Sequence, residues 1–193
     1  TSCDETAVCV VEASGGLASP SFSVRGNGLF SQVALHAQYG GVFPTLAKRE
    51  HAKNLPHLLQ KALSEANLWS SDTNTDIPEK SWEKAQEILS KEGDLFDVFK
   101  HTLEGVARPS IDMIAVTAGP GLEPALWVGI SFAQALGAIW DIPVLPTNHM
   151  EGHITSILLH NTKNTIEFPT LALLISGGHT ELVEMVNWGQ YKK

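Results

Sequence analysis

Apolar positions along the chain repeat with two different periods, and the switches between them set out an order of elements. Ala7-Val8-Cys9-Val10-Val11 is a short, β-branched apolar run and predicts a strand. Residues 21–25 and 29–35 predict two more strands, folded about a Gly26-Asn27-Gly28 turn, so the early chain reads as a β-meander. Leu46, Leu55, Leu58, Leu59, Ala62, Leu63 and Ala66 then recur at three- and four-residue steps, which predicts a helix. Pro56 has no amide hydrogen to give, so a kink or a division of this helix is expected there. Residues 78–91 predict a helix, with Pro78 in its first turn and Gly93 past its end. Leu95, Phe96, Val98, Phe99 and Leu103 predict a second apolar face. The segment 69–108 that holds them opens on the polar stretch 70–76 and reads as an insertion, a surface helical hairpin.

The second half alternates. Strands are expected at 113–117, 142–145, 170–175 and 180–186, and helices at 126–140 and 148–160, the latter with Asn148 as its N-cap. Strands that alternate with helices predict an α/β layer structure with a largely covered sheet. No repeat of fixed short period is present.

Composition narrows the classes of function. Hydrophobic residues make up 43% of 193 and charged residues 18%, which supports a packed core. Thirteen Lys+Arg against 21 Asp+Glu leave a net charge of −8, so a grip on nucleic acid by overall charge is not expected, and an RNA contact needs a local basic patch or a partner. Lys48, Arg49, His51 and Lys53 form a small basic cluster, read as a solvated face. Two cysteines, Cys3 and Cys9, do not make a disulfide framework and fit a reducing compartment. The most apolar run, 125–140, is shorter than the roughly 20 residues of a membrane span and is broken by polar and glycine positions. A soluble cytoplasmic protein is expected. The chain opens without Met and closes just after a strand-like run, which reads as a portion of a longer protein, truncated at both ends.

Four segments carry candidate chemistry. In His149-Met150-Glu151-Gly152-His153 the two imidazoles share a helix face and can clamp one metal ion. Glu151 lies about 200° round the helix from His149, away from that face, which weakens a metallopeptidase reading. In Leu174-Ile175-Ser176-Gly177-Gly178-His179-Thr180 a buried strand stops at two glycines, where consecutive N–H groups can cup an anion. Thr1-Ser2-Cys3-Asp4-Glu5-Thr6 sets two acids among hydroxyl residues, able to orient a metal or a water. Gly119-Pro120-Gly121 joins a strand to a helix N-terminus, where anions are favoured.

In this order, and together with Leu35-His36-Ala37-Gln38-Tyr39-Gly40-Gly41-Val42-Phe43-Pro44, these segments resemble the tRNA N6-adenosine threonylcarbamoyltransferases of the bacterial TsaD type, formerly called O-sialoglycoprotein endopeptidases. The resemblance covers most of the chain except 69–108. It implies an actin-like ATPase (ASKHA) fold, of which residues 1–193 would be the first lobe with the start of the second. It implies that His149 and His153 bind iron or zinc, and that Leu174, Ile175, Ser176, Gly177 and Gly178 line the site for threonylcarbamoyl-adenylate. The implied reaction moves the threonylcarbamoyl group to N6 of adenosine 37 in tRNAs reading ANN codons. Asp4 and Glu5 are the catalytic candidates. The implied partners are tRNA, a paralogous actin-like subunit and a small ATPase, with no membrane.

The resemblance is incomplete. The family has a strand ahead of the position of Thr1 and a third metal ligand, an Asp, far downstream, and Glu123-Pro124 replaces its usual small residues. The 193 residues alone are therefore expected to bind metal weakly and not to catalyse transfer. A non-catalytic actin-like scaffold subunit is the rival reading, and a metallopeptidase the third.

Overall fold

The computed structural model describes residues 1–16, 20–71, 76–159, 166–175 and 180–192. Strand β1 (Glu5–Ser14) pairs antiparallel with β2 (Ser21–Ser31). A short helix α1 (Val33–Ala37) leads to the long α2 (Pro44–Glu65), followed by α3 (Glu79–Leu89) and α4 (Leu95–Leu103). Then come β3 (Ile114–Gly119), α5 (Glu123–Trp140), β4 (Val144–Asn148) and α6 (His149–Thr155), which tightens into a 3-10 turn over Ser156–Leu159. Strands β5 (Thr170–Ile175), β6 (Thr180–Asn187) and β7 (Gln190–Lys192) complete the order. The protein is thus mixed α/β.

The core lies among α2, α3, α4 and α5. Leu55, Leu59 and Leu63 of α2 meet Leu89 of α3, Phe99 and Leu103 of α4, and Phe132 and Leu136 of α5. Phe99 stands edge-on to Trp82 at 6.2 Å and to Phe132 at 5.5 Å, and such pairs add about 0.5–1.5 kcal/mol each beyond burial. Helix α5 is buried on nearly every side, which explains its almost unbroken apolar sequence.

The elements differ from the sequence expectations in instructive places. Gly26-Asn27-Gly28 is not a turn: β2 runs through it, and there is one hairpin rather than a meander. The glycines are there because α2 lies directly on this strand. A Cβ on Gly26 would collide with the Ala62 carbonyl oxygen, and one on Gly28 would come within 2.7 Å of the Leu58 carbonyl oxygen. The strand expected to reach residue 35 ends at Ser31, and Val33–Ala37 is helical. Pro56 is buried inside α2 without dividing it, since the helix loses only one internal hydrogen bond and its packed face holds it together. The expected surface hairpin supplies core residues instead, because α3 and α4 turn their apolar faces onto α5 and α2. Helix α6 stops at Thr155, short of the expected 160.

Among the described residues there is no single covered sheet. The strands form three small ones: β1-β2, the parallel pair β3-β4, and the antiparallel β5-β6-β7. A slot of about 670 Å³ separates β1 from β3, with Leu59, Leu63, Phe132 and Leu136 on its walls. One face of β5 is open: Leu171, Leu173 and Ile175 are exposed, while Ala172 and Leu174 pack on a second small core around Ile154, Val183 and Met185. No helix among the described residues is long and apolar enough to cross a membrane.

Candidate active site

Strands β3 and β4 run parallel, so they bring their carboxyl ends to one edge, with Gly119 in register with Asn148. That pairing places the 119–122 loop beside the start of α6. Asn148 caps α6, its Oδ1 accepting from the amides of Met150 at 2.9 Å and Glu151 at 3.1 Å. The expected N-cap is therefore in place, and it sets the direction in which the histidines leave the helix.

His149 and His153 meet on one face of α6. Their Nε2 atoms are 3.0 Å apart and their rings 4.7 Å apart between centroids. His149 Nδ1 lies 2.8 Å from the Pro120 carbonyl oxygen. A carbonyl only accepts, so Nδ1 carries the proton and Nε2 keeps its lone pair. His153 Nε2–H then donates to that lone pair. Burial, followed by the neighbouring His149, holds the His153 imidazole below its ordinary value, so the ring is neutral near pH 7. Two Zn–N bonds of about 2.0–2.1 Å at a tetrahedral angle span about 3.3 Å. The pair can therefore take one ion between its Nε2 atoms if His153 moves its proton to Nδ1, and the Pro120 carbonyl is the kind of outer partner that orients a ligating imidazole. No group of three or more His, Cys, Asp or Glu able to hold a metal occurs among the described residues.

The Thr1–Glu5 segment comes to the same loop from the other side. A backbone contact at Leu122 touches the Cys3 thiol, which burial and then the Asp4 charge push above its usual value. The Asp4 carbonyl accepts from the Gln32 amide at 2.6 Å, and Glu5 Oε1 accepts from the Ser31 hydroxyl at 3.5 Å. Three of the four segments singled out from the sequence thus converge around 119–122.

The fourth belongs to the β5-β6 sheet. Ile175 pairs with Thr180, so the strand does return on itself as expected, but Ser176, Gly177, Gly178 and His179 lie outside the described residues. Leu174 faces the small core and Ile175 the opposite, exposed side.

Two polar arrangements escaped the sequence reading. His51 is not on a solvated face: it is fully buried. The Thr6 hydroxyl lies 2.7 Å and the Gln32 amide nitrogen 3.0 Å from its Nδ1, and its Nε2–H donates to the Ser2 carbonyl at 2.9 Å. Lys48 of the same cluster is paired with the buried Glu92 at 3.2 Å, while Arg49 and Lys53 are exposed. The other arrangement is the Tyr191 hydroxyl, which donates to Glu151 Oε1 at 2.7 Å. Burial and that carboxylate push the phenol up to about 12, so it remains a donor at neutral pH. Helical phase with the apolar Ala47 and Leu55 could have signalled the first, and nothing local signalled the second.

The sequence matches the family described as TsaD, tRNA N6-adenosine threonylcarbamoyltransferase, over residues 23–75 and 97–193. The chain belongs to the TsaD family. Residues 76–96, which include α3, fall outside the match. TsaD proteins act in threonylcarbamoyl modification of tRNA and use a metal and threonylcarbamoyl-adenylate. Small mixed α/β sheets are compatible with the actin-like fold of the family.

Proposed function

We propose that this chain carries the metal- and adenylate-binding part of a tRNA N6-adenosine threonylcarbamoyltransferase, acting on adenosine 37 of tRNAs that read ANN codons. The observation that carries the reading is the convergence of the His149 and His153 Nε2 atoms at 3.0 Å, with the far nitrogen of His149 already engaged by Pro120. In this reading the two imidazoles hold iron or zinc, which when bound supplies Lewis-acid polarisation and anchors the adenylate. Leu174, Ile175, Ser176, Gly177 and Gly178 position the adenylate, the glycines through their backbone amides. Asp4 and Glu5, which follow the Cys3 that meets the Leu122 backbone, orient water or the incoming amine. An actin-like architecture, a cytoplasmic location, and an assembly with a paralogous actin-like subunit and a small ATPase belong to the same proposal. An acidic chain of net charge −8 fits a tRNA grip shared with such partners.

The test is transfer itself. Purified threonylcarbamoyl-adenylate, an ANN-reading tRNA transcript and the partner subunits are combined with the full-length protein, either wild type or carrying His149→Ala/His153→Ala. The expected result is modified adenosine with wild type and a loss of at least about 100-fold with the variant. Equal modification by both would overturn the assignment and favour a scaffold.

A further inference from the structure

Helix α6 has two working faces. His149 and His153 point toward the 119–122 loop, while Glu151 and Ile154, three residues apart, lie on the opposite side. That opposite side is docked on the β5-β6-β7 sheet. Ile154 is buried against Val183 and Met185, and Glu151 accepts from the Tyr191 hydroxyl at 2.7 Å across 40 residues of sequence. No ladder pairs this sheet with β1-β2 or β3-β4 among the described residues. Among the described residues its placement relative to the histidines depends on α6, and the Glu151–Tyr191 bond is a directional contact on that face.

We infer that Glu151 and Tyr191 form a latch that sets the distance between the histidine pair and the end of β5, making both of them positioning residues. The inference rests on the reading above, in which one ligand meets both the histidine pair and residues 174–178. It gives Glu151 a role that requires neither metal ligation nor proton transfer: the carboxylate is engaged on the far side of the helix. A hydrogen bond to a carboxylate is short and directional, so it fixes the rotation of α6 about its axis where the Ile154 contact alone would allow rolling.

The experiment uses Tyr191→Phe, which removes only the donor, Glu151→Gln, which keeps an acceptor oxygen, and Glu151→Ala. Amide hydrogen exchange over residues 150–154 reads the latch without any activity. Exchange about 10-fold faster in Tyr191→Phe and Glu151→Ala, with Glu151→Gln near wild type and α5 unchanged in all, is the expected result. In the transfer assay the same two variants should raise the KM for threonylcarbamoyl-adenylate by about 10-fold while Zn²⁺ affinity stays within about threefold of wild type. Unchanged exchange in Tyr191→Phe overturns the latch. So does a Glu151→Gln variant as impaired as Glu151→Ala beside a silent Tyr191→Phe, because Glu151 would then act directly on metal or substrate. Absence of transfer by the full-length wild type, with the exchange pattern as expected, would instead sink the functional reading and leave the latch standing.

Discussion

His51 sits in the dry space between β1, β2 and α2, and two donors aim at its Nδ1. Burial disfavours the charged ring and outweighs the favourable Ser2 carbonyl contact, and the N-terminal amine and His36 add a smaller repulsion. Its value is accordingly lowered from 6.5 to about 4. Between those two values the unfolded chain binds more protons than the folded one, so stability rises with pH through this window. As pH falls from 7 to 4 the His51 contribution should shrink by about 3 kcal/mol. Urea midpoints at pH 7, 5.5 and 4 check this, and His51→Gln should flatten the slope. An equal slope in the variant would assign the effect to other groups. From the sequence, His51 looked like part of a solvated basic cluster because Lys48, Arg49 and Lys53 surround it. Helical phase could have separated it from its neighbours, since it stands four residues from both Ala47 and Leu55, which are buried.

The packing of α2 on β2 shows the same limit for whole elements. Gly-Asn-Gly is a turn signal when local chemistry is all that is known, and it serves equally where a helix backbone needs room. Gly26→Ala and Gly28→Ala should each cost about 1–3 kcal/mol, because the obstacle is backbone carbonyl oxygen rather than a side chain that can swing away. Thermal melts of the two variants measure it, and an unchanged midpoint would mean that α2 lifts off the strand without loss. The long segments were legible: α2 stands where apolar spacing placed it, α3 where Pro78 and Gly93 bounded it, α5 over the expected 126–140, and Asn148 caps α6. What periodicity could not supply is which face of α3 and α4 finds a partner. Their pattern is that of any amphipathic pair, and only the tertiary structure shows α5 filling the space between them and α2.

At the scale of the molecule, four segments that are individually ordinary became specific through their order along the chain, and three of them meet at the 119–122 loop. That convergence is what a family resemblance could anticipate. The division into three small sheets and the slot between β1 and β3 could not be anticipated, because strand pairing depends on partners far apart in sequence. The same holds for Tyr191, which reaches Glu151 only once β7 is laid beside β6. The account turns on the histidine pair. Calorimetric titration of Zn²⁺ into the metal-free full-length protein and into its His149→Ala/His153→Ala variant, at pH 7.5, tests it most directly. One equivalent bound by wild type, weakened at least about 100-fold in the variant while its melting temperature without metal is preserved, is the predicted result. Equal binding by both proteins, or none by wild type, would contradict it.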